Sequence, residues 1–130
     1  MRAMVHLVCN EGGAVVSTRT IAEKEDISYQ LACKLMQRLS RAGLVKSSMG
    51  PKGGFTLGRA PGKISLLDII EAVQGPVSVN RCLVKGQGCD RQPECPVSGT
   101  LEELQDHIEG FLTKTTLEKV YKTSMKRRKK

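Results

Sequence analysis

No apolar run in this chain approaches the ~18 residues that a membrane-spanning helix needs. The opening stretch Met1-Arg2-Ala3-Met4-Val5-His6-Leu7-Val8-Cys9 is too short and too weakly apolar for a signal peptide. With neither signal, the chain is expected to be soluble and cytoplasmic. Tryptophan is absent, and His, Tyr and Phe number two each. There is no nucleophile–base–acid set, no Walker sequence and no dinucleotide glycine motif, so an enzyme is not expected. No internal repeat occurs. The 130 residues suffice for one core with or without an appendage, and not for a multidomain enzyme with a large cofactor fold.

What is abundant is positive charge, and it is unevenly placed. The formal charge is +8, from 21 Lys and Arg against 13 Asp and Glu. Residues 1–65 carry ten basic and four acidic side chains, net +6, whereas residues 66–125 are net −3. The tail Lys126-Arg127-Arg128-Lys129-Lys130 adds +5. A basic front half implies a surface for a polyanion, with a different task behind it. Five adjacent like charges repel one another, so the tail reads as a disordered solubilising end or as an arm on DNA.

Apolar spacing organises the rest. Met1, Met4, Val5, Leu7 and Val8 give a first helix. Thr20-Ile21-Ala22-Glu23 fits a capping box opening a short helix over about 20–25. In the stretch Ile27–Val45, Leu31, Leu35 and Leu39 recur every four residues beside Ala32 and Met36. Gln30, Lys34, Gln37, Arg38 and Arg41 fall on the other face, and Gly43 stops the helix. Residues 44–48 and Phe55-Thr56-Leu57 read as strands around the turn Gly50-Pro51-Lys52-Gly53-Gly54. Ser65-Leu66-Leu67-Asp68 is another capping box, opening a helix that Gly75-Pro76 ends. Residues 80–99 lack periodicity and read as a loop. Thr100-Leu101-Glu102-Glu103 then caps a helix carrying Leu101, Leu104, Ile108, Phe111 and Leu112, and Thr115-Thr116-Leu117-Glu118 restarts a short one.

Helix, short helix, basic helix, hairpin is the order of a winged helix-turn-helix. A basic, amide-rich helix fits the major groove, where Gln pairs with adenine and Arg or Lys with guanine or phosphate. Lys52 among glycines lets the hairpin backbone approach a phosphate or the minor groove. The fold class expected is therefore mainly α with a small β-hairpin wing.

Five cysteines, an odd number, argue against a disulfide scaffold. Cys9 lies on an apolar helix and reads as a buried small hydrophobe, and Cys33 as a passive helix residue. Cys82, Cys89 and Cys95 share the Gly/Pro-rich loop, with six and five residues between them. Structural zinc sites use tighter Cys pairs. The wider spacing suits an iron–sulfur cluster, while zinc and a thiol-redox switch stay open.

Three segments, Ile27-Ser28 with Leu39-Ser40-Arg41-Ala42-Gly43-Leu44-Val45, Gly50-Pro51-Lys52-Gly53-Gly54-Phe55-Thr56-Leu57, and Ile64 through Gly75-Pro76, carry a resemblance. Together they resemble the Rrf-type bacterial transcription regulators (IscR-, NsrR- and CymR-like), nearly as far as Tyr121. The resemblance implies a homodimeric winged-helix protein on double-stranded DNA, with a long C-terminal dimerisation helix. It places base reading on Gln30, Cys33 and Lys34, and we expect phosphate contacts from Ser28, Tyr29, Gln37 and Arg38, with Lys52 on the wing. Cys33 stands where some relatives have Glu, and Met49 where a wing Arg can enter the minor groove, so the operator does not carry over. The resemblance also implies a cluster, [2Fe-2S] or [4Fe-4S], on Cys82, Cys89 and Cys95.

The fourth ligand departs from the family. Some relatives have His three residues after the third Cys, where this chain has Ser98. Others use an acidic residue near the start of the first helix, a position that falls upstream of Met1, so the chain looks shortened there. His6 and Glu11 are the remaining candidates, and His107 is expected to be solvated.

The division expected is residues 1–76 as DNA-binding domain, 77–99 as cysteine-bearing loop, 100–122 as dimerisation region and 123–130 as basic disordered tail. The function expected is a repressor-type regulator governed by a cluster. The other reading is a cluster-free, CymR-like regulator answering to a partner enzyme or to thiol redox state.

Overall fold

The computed structural model describes residues 1–9, 15–51, 53–78 and 96–128. Six helices and one two-stranded sheet follow in the order α1 (Arg2–Cys9), α2 (Thr18–Glu25), α3 (Tyr29–Arg41), β1 (Val45–Ser48), β2 (Gly54–Leu57), α4 (Leu66–Gln74), α5 (Ser98–Lys114) and α6 (Leu117–Arg128). A 3-10 turn over Pro61–Lys63 joins the sheet to α4.

The caps explain the boundaries. The Ser17 hydroxyl accepts from the Thr20 amide at 3.1 Å, so α2 begins before the Thr20 box expected from the sequence, and Thr20 lies inside the helix. Asp26 ends α2 in the left-handed region at φ 54°, a conformation Asp tolerates better than most side chains. Only Ile27 and Ser28 separate it from α3, and Ser28 caps that helix through a 3.1 Å bond from the Leu31 amide. The Ser65–Asp68 box forms in both directions, with each bond at 3.0 Å. The box expected at Thr100 does not form: α5 starts at Ser98, with Val97 in the cap position and no side-chain cap.

β1 and β2 pair antiparallel, Val45 opposite Leu57 and Ser48 opposite Gly54. Val16 adds a bridge to Phe55, with bonds of 3.0 and 2.8 Å. A Cβ on Gly54 would run into the Val16 carbonyl, so this close pairing needs glycine there.

The core gathers Met4, Leu7 and Val8 of α1, Ile21 of α2, Met36 and Leu39 of α3, Leu44 and Val45, Ile64, and Ile69 of α4. On α3 the buried stripe is Ala32, Met36 and Leu39, while Leu31 is 45% exposed. Sequence spacing alone places Leu31 on the inner face. Tertiary packing rotates that face, so that Ala32 rather than Leu31 turns inward. Cys9, expected to be buried, is exposed at the end of α1.

The C-terminal region is two helices, with the restart at Thr115–Leu117 where the sequence places it. Thr115 and Thr116 are extended and pair with the chain before α4: the Leu66 amide donates to Thr115 O at 2.9 Å and the Leu117 amide to Ile64 O at 2.8 Å. That bridge turns α6 back onto α1 and the 3-10 turn and seats Leu117 in the core at 0% exposure. The helix then runs to Arg128, so residues 123–128, expected in a disordered tail, are helical. Lys126, Arg127 and Arg128 fall in its last turn, where positive charge favours the negative C-terminal end of the helix dipole. No described helix is long and apolar enough to cross a membrane.

Candidate nucleic-acid interface

α3 carries the expected reading residues on one side. Gln30, Cys33, Lys34 and Gln37 follow the i, i+3, i+4, i+7 pattern that aligns side chains along a helix face. Gln30, Lys34 and Gln37 are exposed and Cys33 is half-buried. At the helix start, Tyr29 is 56% exposed, and the Ser28 oxygen accepts the cap bond, which does not use its O–H proton. Arg38 is exposed but partly committed, because its Nη1 donates to the Val73 carbonyl at the end of α4, 2.5 Å away. Lys52 lies outside the described residues.

Between the start of α2, Tyr29 and the wing is a groove of about 360 Å³, lined by Ser17, Thr18, Arg19, Ser47 and Ser48 among others. Its donors are backbone amides, hydroxyls and one guanidinium, the set that holds a phosphate backbone. Sequence reasoning misses Thr18, Arg19, Ser47 and Ser48. Placing the α2 cap at Thr20 hides the first two, since Ser17 as cap puts Thr18 and Arg19 in the first turn of α2. Met49 at the wing tip is 96% exposed.

The expected metal ligands are not brought together among the described residues. Cys82, Cys89, Cys95 and Glu11 lie outside them. Among the described residues no group of three or more His, Cys, Asp or Glu could hold a metal. His107 stands in solvent with 78% of its side chain exposed, 4.0 Å from Glu103. His6 is half-buried, and Ser98 is 8% exposed.

A second surface lies on α5. Seventeen residues long, it buries only Ser98 and Gln105, while Leu104 is 45% and Phe111 64% exposed, with half-buried Leu101, Ile108 and Leu112 beside them.

This geometry has known counterparts. The Rrf2 family profile, described as iron-dependent transcriptional regulator, matches residues 1–123. The HTH-type transcriptional regulator IscR of Cronobacter sakazakii is 36% identical over 115 residues, which are 88% of this chain and 70% of that protein. Among solved structures, IscR of T. potens superposes with a TM-score of 0.73 at 30% identity, covering 94% of this chain and 80% of that one. CymR of B. subtilis, titled its global cysteine regulator, superposes with a TM-score of 0.72 at 28% identity, covering 92% and 88%. A basic reading helix beside a wing, in a chain that matches these proteins over nearly all its length, is the apparatus of DNA binding rather than of catalysis: the protein belongs to the Rrf2 family of winged-helix transcriptional regulators and is not an enzyme.

Proposed function

We propose that the protein is a homodimeric repressor whose grip on a pseudo-palindromic operator is set by an iron–sulfur cluster on Cys82, Cys89 and Cys95. The unpartnered apolar stripe of α5 supports the dimer, since a lone helix with Leu104 and Phe111 in water leaves apolar area that a second copy would cover. The dimer presents two copies of α3 to successive major grooves. Gln30, Cys33 and Lys34 read bases, while Ser28, Tyr29, Gln37, Arg38 and the α2–wing groove hold the backbone, with Lys52 reaching from the wing.

For the cluster, the observation that carries the reading is where the described residues on either side of the cysteine-bearing stretch stand. Gln105 donates to Val77 O at 2.6 Å, so the chain leaves α4 beside the helix on which it returns. Ser98 and Gln105 are seven residues apart, roughly 10 Å of helix, so Val77 and Ser98, described residues on either side of the three cysteines in sequence, stand near one another. Thiolates are the donors that iron–sulfur clusters use, and the family description as iron-dependent agrees. Such a cluster, when bound, supplies a group sensitive to iron supply and oxidants. The chain's own part is to turn the ligation state of these thiols into a change of angle between α5 and the reading head.

Anaerobic purification should yield a coloured protein with iron and sulfide. Replacing Cys82, Cys89 and Cys95 together with Ala should abolish the colour and shift operator affinity at least tenfold. Unchanged affinity under every iron and redox condition would overturn the cluster reading.

One observation favours a second reading, that of a cluster-free regulator responding to a partner enzyme or to thiol redox state. The position three residues after Cys95 is Ser98, which is buried and offers a hydroxyl in place of an imidazole. A colourless, iron-free protein that still binds its operator would favour it.

A further inference from the structure

The end of α4 and the residues after it are held from two sides. On one side, Arg38 of α3 donates to Val73 O at 2.5 Å, a charged donor on the negative end of α4. On the other, Gln105 of α5 donates to Val77 O at 2.6 Å and to Glu109 Oε1 at 2.8 Å. Between the two carbonyls the chain turns at Gly75, whose φ of 85° suits glycine.

Gln105 is out of place as an ordinary surface residue. It is 8% exposed on a helix whose Leu104 and Phe111 stand in solvent. Burying an amide is costly unless it is bonded, so its position points to the bond it makes. α5 packs chiefly against α4, and α4 packs against α3. α5 is thus tied to the head at two places, the Thr115–Leu66 bridge at its C-terminal end and, nearer its start, this segment, which also touches the reading helix.

We infer that Arg38 and Gln105 are positioning residues, clamping Val73–Val77 between the reading helix and α5 and so fixing the half-site spacing that the dimer accepts. The inference rests on the homodimeric DNA-binding reading above. Half-sites lie ~34 Å apart, so each head sits roughly 17 Å from the dyad, and a swing of roughly 10° moves it about one base-pair step. Small rotations at the clamp are thus read as spacing. Gln105 itself has no place on the DNA face, which separates its effect from that of a lost contact.

The test uses the full chain and duplexes that the wild-type protein selects from a random-sequence library. Each duplex is rebuilt with its half-site separation changed by one or two base pairs. Dissociation constants, dimer mass and melting temperature are measured for wild type, Gln105→Leu, Gln105→Asn and Arg38→Lys. Wild type should prefer its selected spacing at least tenfold. Gln105→Leu keeps the volume and removes the donor. It should flatten that preference to threefold or less, while remaining dimeric and binding non-specific duplex within twofold of wild type. Gln105→Asn, which shortens the reach of the same amide, should fall between. Arg38→Lys keeps the charge and loses the planar fork, so it should flatten the preference, and because Arg38 also holds the DNA backbone only the ratio between spacings is read from it. A folded, dimeric Gln105→Leu with wild-type spacing preference overturns the inference. If that variant fails to fold or to dimerise, Gln105→Asn decides by the same criterion. A wild-type chain that selects no duplex overturns the DNA-binding reading itself and the clamp with it.

Discussion

The winged head and α5 are built on opposite terms. In the head, helices of eight to thirteen residues and a hairpin of two four-residue strands close around one core, and Met4, Met36, Ile64 and Leu117 reach 0% exposure. α5 is the longest helix described, yet its two buried residues, Ser98 and Gln105, are polar while Phe111 is 64% exposed. The head closes its core within one chain, even recruiting Leu117 from beyond α5 to do so. α5 leaves Leu104 and Phe111 in solvent, where the proposed second copy would cover them. On the proposed dimer, stability and assembly are separable, and substitutions should divide along that line.

The largest effect is expected where the comparison is most unequal. Replacing Leu104 and Phe111 together with Asp should give a monomer whose operator affinity falls roughly a hundred- to ten-thousandfold, the scale lost when two linked heads become independent. Sedimentation and operator titration measure it. The head's own thermal transition should stay in place, and its collapse would mean that α5 is part of the core. Next in size is Leu117→Ala, which should cost the folded monomer about 3 kcal/mol in denaturant unfolding through the cavity it leaves. In a chain made monomeric by Leu104→Asp alone, Phe111→Ala should cost under about 0.5 kcal/mol, as for other exposed positions. Equal costs at the two sites would erase the distinction between head and α5. The smallest effect expected lies at the wing tip, where Met49 is 96% exposed. Met49→Arg should leave stability unchanged and steepen the dependence of log K on log salt by about 0.9 for each phosphate reached. An unaltered slope would mean that the wing tip stands clear of the DNA.

Most of the head is legible in the amino-acid sequence. Polar caps such as Ser65 with Asp68, stop signals such as Gly43 and Gly75, and the glycines of the wing act within a few residues, and local chemistry of that kind is written in the chain. Sequence and structure part where a non-local choice is needed. Ser17 and Thr20 both suit a cap, and the Val16–Phe55 bridge at the preceding residue favours the first. Leu31 and Ala32 both fit an inward stripe, and packing against α2 and the core selects Ala32. The α2–wing groove joins residues some thirty positions apart, and no local pattern announces Arg19 and Ser48 as neighbours. The reading face of α3 is the easiest part of the candidate site to find, because one helix carries all of it.

By itself the sequence determined the kinds of element, the charged face of α3 and the grouping of three thiols between α4 and α5, since side-chain spacing and capping chemistry are short-range properties. The tertiary structure alone decided that Thr115–Thr116 pairs with the chain before α4, that Leu117 returns to the head, and that Arg38 and Gln105 grip the same segment. Each of these joins residues distant along the chain, through backbone pairing and burial that exist only once the core has formed.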